Sequence, residues 1–320
     1  MEGCNMLMGM VVLMIILLLL VLGAAYYAYR VAFYVEPGYK QEIHDCSKET
    51  KFCGKQEIMC MCLQHLRDLP YEAVTITALD GKKLFARYYH IADGAPVQIQ
   101  FHGYRGSAMR DFCGGTAFAK KMGHNALVVD QRSHGHSEGN TITFGVKERY
   151  DCQCWAQYAY ERFGKDTPLI LSGVSMGATT VLMASDLMLP ETVRGIIADC
   201  PYSSPRDIIS KVAGEFGLPR KPAAALCNLG ARIFGHFNFN GVSVLEAVSR
   251  TKFPVLLLHG DADQLVPCRM SHEIYDACAS DKELQIFPGA SHGMCYFEDP
   301  QRYEAVAGAF LNRCLDEKTA

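Results

Sequence analysis

The sequence predicts an α/β fold, with a mainly parallel central sheet covered by helices on both faces, a small helical cap, and one apolar helix in front. Three observations predict it. From residue 73 to the C-terminus, short apolar runs alternate with helix-like stretches, the rhythm of strands joined by crossover helices. That rhythm breaks once, between residues 203 and 250, where helix-prone segments follow one another without a strand. Residues 6–29 carry no charge and hold an unbroken aliphatic run at their centre.

The 320 residues are enough for one large α/β domain with accessories. Hydrophobic residues make up 49% and charged residues 20%, an ordinary globular balance, and a net charge of −3 gives no electrostatic basis for nucleic-acid binding. The 14 cysteines are too many to ignore, but a chain of this size does not need a disulfide framework. Cys113, Cys200, Cys278, Cys295 and Cys314 sit in apolar surroundings and read as small hydrophobes. Cys60-x-Cys62 and Cys152-x-Cys154 lack the spacing and the second pair of a zinc site, so no metal is expected. No organic cofactor is expected either. Free thiols in this number favour a reducing compartment, or an organism that does not rely on disulfides.

Taken in order, residues 6–29 form a helix about 36 Å long, sufficient to span a bilayer with tilt. The only charged side chain ahead of it is Glu2, so it reads as an uncleaved anchor over residues 1–30 and not as a signal peptide. Tyr26, Tyr27, Tyr29 and Tyr34 are expected to form an interfacial aromatic belt, and Arg30, Lys40 and Lys48 place the following domain on the cytoplasmic side. Residues 31–69 read as a helical connector in which Cys46, Cys53 and Cys60 repeat every seven residues and form a docking stripe, weakened by Gly54. A domain over residues 70–320 follows. Segments 73–77 and 84–89 are β-like and joined at Asp80-Gly81, a hairpin signal. Strands are expected at 97–101, 126–130, 169–171, 193–199, 255–258 and 284–287, with helices from about 109, over 147–163 and 269–279, and at 300–315. The cap, at about 203–250, offers an apolar face including Leu218, Leu226, Ile233, Phe234 and Phe237.

The chemistry is concentrated at residues 169–180, LILSGVSMGATT. A strand meets Gly173-Val174-Ser175-Met176-Gly177 and a helix follows, which is G-x-S-x-G in its strand–turn–helix context. In so sharp a turn the residues two before and two after the serine nearly touch, which only Gly173 and Gly177 allow. Ser175 then projects as a nucleophile at a helix N-terminus, where the Met176 N–H can bind an oxyanion. A serine nucleophile needs a base and an acid to orient it. Asp261, Asp263 and His292 all follow strand ends at the same sheet edge, and His134 and His136 lie in a glycine turn after another. The residues leave Asp261 and Asp263 open as acid, and His292, His134 and His136 open as base.

Five segments in order, FHGYRGS (101–107), DQRSHGHSEG (130–139), GVSMGA (173–178), HGDADQLVP (259–267) and GASHG (289–293), resemble the α/β-hydrolase superfamily. Within it the chain is similar to the membrane-anchored monoacylglycerol-lipase and serine-aminopeptidase-like hydrolases, from about residue 69 onward. The resemblance implies the α/β-hydrolase fold, with Ser175 as nucleophile, Asp263 as acid and His292 as base, and with the amides of Tyr104 and Met176 as the oxyanion hole. It implies that His134 and His136 are structural or at the rim, and that His102 orients the oxyanion loop. His259 is read as supporting its strand end, and Asp130 and Arg132 as a buried pair. Ser133 stands where the related turn carries its first glycine. The implied activity is cleavage of acyl esters, lipid-like in view of the anchor and the apolar cap. A thioesterase or a peptidase could use the same residues, with Glu215 or Glu246 available to hold a substrate amine. A binding protein without catalysis is disfavoured because every triad member is present. Dehalogenase and epoxide-hydrolase chemistry is disfavoured because those relatives carry aspartate at the elbow. Oligomeric state is not legible.

Overall fold

The computed structural model describes residues 2–36 and 55–316. Cys46, Cys53 and Gly54 lie outside the described residues.

The chain begins with α1 (Glu2–Ala32), 31 residues long. Side chains from Met6 to Val21 are exposed, while Ala25, Tyr29 and Phe33, one helical turn apart, are buried. By length and composition this helix can cross a membrane. Its exposed apolar part, about 18 residues from Cys4 to Val21, rises about 27 Å, close to the thickness of a hydrocarbon core. The last turns are packed on protein. Tyr29 is therefore a core residue, and Tyr34 is half-buried; of the expected aromatic belt only Tyr26 and Tyr27 are exposed. α2 (Gln56–Asp68) lays Met59, Leu63 and Leu66 against the body, with Cys60 and Cys62 at the margin of that face.

The sheet has eight strands: β1 (Glu72–Thr77), β2 (Lys83–Tyr89), β3 (Val97–Phe101), β4 (Asn125–Asp130), β5 (Leu169–Val174), β6 (Val193–Asp199), β7 (Val255–Gly260) and β8 (Lys282–Phe287). Their order is β1-β2-β4-β3-β5-β6-β7-β8. β2 is antiparallel to both β1 and β4, and every other pairing is parallel. β3, β4 and β7 are buried at every position, as strands covered on both faces must be. The covering helices are α3 (Ala108–Lys121), α4 (Glu148–Phe163) and α5 (Met176–Ala184). The segment after β6 holds α6 (Pro205–Glu215), α7 (Arg220–Phe234) and α8 (Val244–Val248), without a strand. α9 (Arg269–Ala277), α10 (Cys295–Glu298) and α11 (Pro300–Asp316) complete the chain.

α1 crosses α7 at Gly230, where a Cβ would collide with the Ala25 carbonyl. Tyr26 and Tyr29 close over Phe234, at ring separations of 5.0 and 6.0 Å. Phe33 then enters a cluster with Phe144, Phe237 and Phe239 that also contains Met176. The apolar end of α1 is thus buried beside the residue that follows Ser175.

Asp130 and Arg132 do not pair. Asp130 ends β4 opposite Phe85 of antiparallel β2 and receives Arg87 at 3.3 Å and His136 at 3.2 Å. Arg132, two residues on, faces α4 and makes a two-pronged bond with Asp151, 2.6 Å at each prong, plus a 3.0 Å bond to Asp80. Each charge is met by a group on a different neighbouring element, a choice the local sequence does not contain.

Candidate active site

Parallel strands point their C-terminal ends to one edge, and four of them deliver the site. β5 runs into Ser175 at φ +55°, ψ −115°, a conformation L-residues rarely adopt. The Ser175 N–H donates to the Asp199 carbonyl at the end of β6, 2.8 Å away, and this bond to the neighbouring strand helps fix the turn. A Cβ on Gly173 would overlap the Gly177 backbone, and one on Gly177 would overlap the Phe101 carbonyl of β3. The elbow is therefore wedged against two strands, and its side chain can only point outward.

The turn after β7 holds Asp263, and the loop after β8 holds His292. His292 Nδ1 lies 2.7 Å from Asp263 Oδ2, and His292 Nε2 lies 2.8 Å from Ser175 Oγ. The carboxylate can only accept, so Nδ1 carries the hydrogen and Nε2 is free to accept the serine proton. The Asp263 Oδ1 accepts from the Leu265 and Val266 amides at 2.9 and 2.8 Å. Burial by itself raises this carboxyl, but the hydrogen bonds from His259 and His292 outweigh it and hold Asp263 well below the usual carboxylate range. Asp261 points elsewhere, accepting from the Gly289 amide at 2.7 Å. His259 is closer to the chemistry than its strand-end position implied: its Nε2 is 3.2 Å from Asp263 Oδ2 and 2.9 Å from the Val266 carbonyl.

The loop after β3 passes over Ser175. A Cβ on Gly103 would sit 3.4 Å from that of Ser175. The loop's amides are assigned one by one: Gly103 N–H to Asp111 at 2.8 Å, Arg105 N–H to His134 Nε2 at 3.1 Å, and Gly106 N–H to the Gly103 carbonyl at 3.0 Å. Among the described residues, the N–H groups of Tyr104 and Met176 have no protein acceptor. Asp111 is not legible in the sequence as part of the site. Its only signal is an acidic residue in the first turn of the helix that follows the loop.

His102 and His134 brace this loop from below, their rings 4.7 Å apart. His102 Nε2 accepts from the Gln131 amide at 3.0 Å, so its Nδ1–H donates to the Gly103 carbonyl. His134 is arranged alike: Nε2 accepts from Arg105 and Nδ1–H donates to the Arg132 carbonyl. The ring nitrogens of both are thus taken up by main-chain groups and not by Ser175, and His136 is half-exposed, packed on Phe85. Burial first, and then the neighbouring ring, push His134 down to about 3; burial also lowers His102. Both are neutral when folded and bind a proton below about pH 6.5 when unfolded. The unfolded state then holds more protons, so stability is complete above that pH and is lost as pH falls toward 3. His134→Gln, which keeps an acceptor but cannot titrate, is expected to remove about 2 kcal/mol of the stability lost between pH 7 and pH 5, read from urea denaturation in detergent.

The donor atoms of Cys200, Asp263 and His292 lie within 4.8 Å of one another. Burial, followed by the charges of Asp199 and Asp263, pushes the Cys200 thiol far up, so it presents no thiolate. His292 Nδ1 and Asp263 Oδ2 are already bonded to each other.

Comparison with solved structures matches this fold to that of the Pyrococcus furiosus esterase Pf2001, with a TM-score of 0.64 and 24% identity over 78% of this chain and 93% of that one. The protein has the α/β-hydrolase fold. A family model described as serine aminopeptidase, S33, matches residues 228–300, which hold the end of α7, Asp263 and His292. The uncharacterized protein YqkD of Bacillus subtilis is 26% identical over 61% of this chain. That match spans 64% of YqkD, just under two thirds of its length. The monoacylglycerol lipase of Mycolicibacterium smegmatis is 28% identical over 52% of this chain and 56% of its own.

Proposed function

We propose that the protein is a membrane-anchored serine hydrolase that cleaves carboxylic esters of acyl lipids. The observation that carries this reading is the unbroken hydrogen-bonded chain Ser175–His292–Asp263 at a strained elbow. His292 takes the serine proton as Oγ attacks the ester carbonyl, and Asp263 holds the imidazole tautomer and stabilises its charge. The amides of Tyr104 and Met176 receive the oxyanion. His292 then passes its proton to the leaving alcohol, and water activated by the same ring releases the acid from the acyl-enzyme. On this reading residues 1–30 anchor the protein, 31–69 connect, and 70–320 form the hydrolase domain with a cap at about 203–250. Arg30 in the last turn of α1, with Lys40 and Lys48 beyond it, favours a cytoplasmic domain.

An acyl-lipid substrate is supported by the exposed apolar length of α1 and by the cluster around Met176, which includes Phe33, Phe144, Phe237 and Phe239. The S33 match raises an aminopeptidase as the other reading. An aminopeptidase holds the substrate amine with a carboxylate, and the two cap candidates are engaged elsewhere: Glu215 with Lys211, and Glu246 with Arg250 at 3.1 Å. Esters are therefore favoured.

The test is labelling of the full-length protein in isolated membranes with a fluorophosphonate, followed by turnover of p-nitrophenyl esters of increasing chain length and of aminoacyl p-nitroanilides. Labelling with ester turnover supports the proposal. Anilide turnover without ester turnover would shift the assignment to a peptidase, and a folded protein that does not label is not a serine hydrolase.

A further inference from the structure

The oxyanion loop is held from below by His102, His134 and Asp111, but its outer tip, Tyr104-Arg105, is held by the end of α1. The Tyr104 hydroxyl donates to the Ala32 carbonyl at 2.8 Å and accepts from Arg105 Nε at 2.8 Å. One terminal nitrogen of Arg105 donates to the Val31 carbonyl at 3.1 Å and to the Tyr34 carbonyl at 3.0 Å. Val31 and Ala32 close α1, so these are carbonyls that a helix C-terminus leaves without intrahelical partners, and the negative end of the helix dipole favours a cation there. Arg105 itself sits at φ +48°, a conformation that favours glycine. The helix end is in turn fixed to the body: the Val35 amide donates to the Asn140 carbonyl, Phe33 accepts from the Ile142 amide, and the Tyr29 hydroxyl bonds Thr141.

We propose that Arg105 is a positioning residue that clamps the oxyanion loop to the C-terminal end of α1, making the membrane helix a component of the catalytic site as well as its tether. The proposal rests on the serine-hydrolase reading. Its physical content is directional. The amide of Tyr104 must point at a developing oxyanion, and Tyr104 is held from its far side: its own hydroxyl reaches the Ala32 carbonyl, and the strained residue that follows it, Arg105, is bonded to α1. Those contacts run to main-chain carbonyls, so the clamp depends on Arg105 and not on which side chains α1 carries. Lysine cannot replace it, because one ammonium cannot serve the Tyr104 hydroxyl and both carbonyls in the planar geometry of a guanidinium.

The test uses the full chain in detergent or nanodiscs, with active sites titrated by a fluorophosphonate so that kcat is expressed per competent site. Arg105→Ala and Arg105→Lys are each expected to lower kcat roughly tenfold or more, below the 10²–10³ that follows loss of a whole oxyanion donor, with KM changed less than twofold. Tyr104→Phe, which keeps the amide and removes only the bridging hydroxyl, is expected to lower kcat in the same direction. It also serves where an Arg105 variant fails to fold. Arg30→Ala is the control: Arg30 is on the same helix end, pairs with Glu36 and stacks on Tyr34, and its kcat should stay within twofold of wild type. A merely structural clamp would lower the melting temperature or the fraction of titratable sites and leave kcat per site intact, and that result overturns the proposal. An equal fall in Arg30→Ala, which would show general loosening of the helix end, also overturns it. Wild type that labels while Arg105→Ala is unaffected leaves the hydrolase reading standing and removes this inference alone. Folded wild type that does not label removes both.

Discussion

Ser175→Ala is expected to lower kcat for the preferred ester by about 10⁶-fold, because the attacking oxygen is gone and His292 has no proton to take. Residual turnover should remain above the uncatalysed rate, since the amides of Tyr104 and Met176 would still polarise a bound carbonyl. The substitution is expected to leave the fold intact. Alanine at this position meets the same backbone demand as serine, and the wedge that imposes φ +55° comes from Gly173, Gly177 and Phe101. The check is turnover together with a melting curve. A variant that keeps its melting temperature and retains more than about one hundredth of the wild-type kcat contradicts a Ser175 nucleophile.

The second large effect separates two aspartates that lie two residues apart. Asp263→Asn is expected to lower kcat by about 10⁴-fold. The Leu265 and Val266 amides demand an acceptor at the Oδ1 position, so the asparagine oxygen turns there and its NH₂ faces His292. Two donors cannot share the 2.7 Å separation between that position and Nδ1. The ring then gives up its Nδ1 hydrogen and carries it on Nε2, where it can no longer accept from Ser175. Asp261→Asn, by contrast, should change kcat by no more than a few-fold, because Asp261 serves the Gly289 amide and does not reach His292. Comparable losses in both variants, each with an unaltered melting curve, would mean that Asp263 does not act as the orienting acid.

Much of the fold is local and legible in the amino-acid sequence. The strands are visible because β3, β4 and β7 are covered on both faces, which demands an unbroken apolar run. β8 is half-buried throughout until Phe287. Its first two residues, Lys282 and Glu283, carry no apolar signal, so the sequence pattern places its start two residues late. The elbow is legible because its glycines are enforced by close backbone approach, and a missing side chain is written directly in the chain. The candidate site is legible as a set of residues after strand ends, since the alternation of strands and helices implies one shared edge.

Other features are relations between distant segments, and no local pattern carries them. Tyr29 has the composition of an interfacial tyrosine; only the crossing of α1 over Gly230 of α7 makes it a buried one. Asp130 and Arg132 are near neighbours in sequence, yet their partners come from β2 and α4, because the strand ends at Asp130 and the chain has already turned away by Arg132. His259 reads as strand support until the turn after β7 folds Asp263 back within 3.2 Å of its ring. Arg105 reaches carbonyls more than 70 positions earlier in the chain. Sequence by itself determined the fold class, the elbow and the residues available for chemistry, because periodicity and steric exclusion act within a few residues. Tertiary structure decided which aspartate meets His292, how the buried charges pair, and that the end of an apolar helix is bonded to the loop after β3, because hydrogen bonds and close packing depend on distance in space and not on separation along the chain.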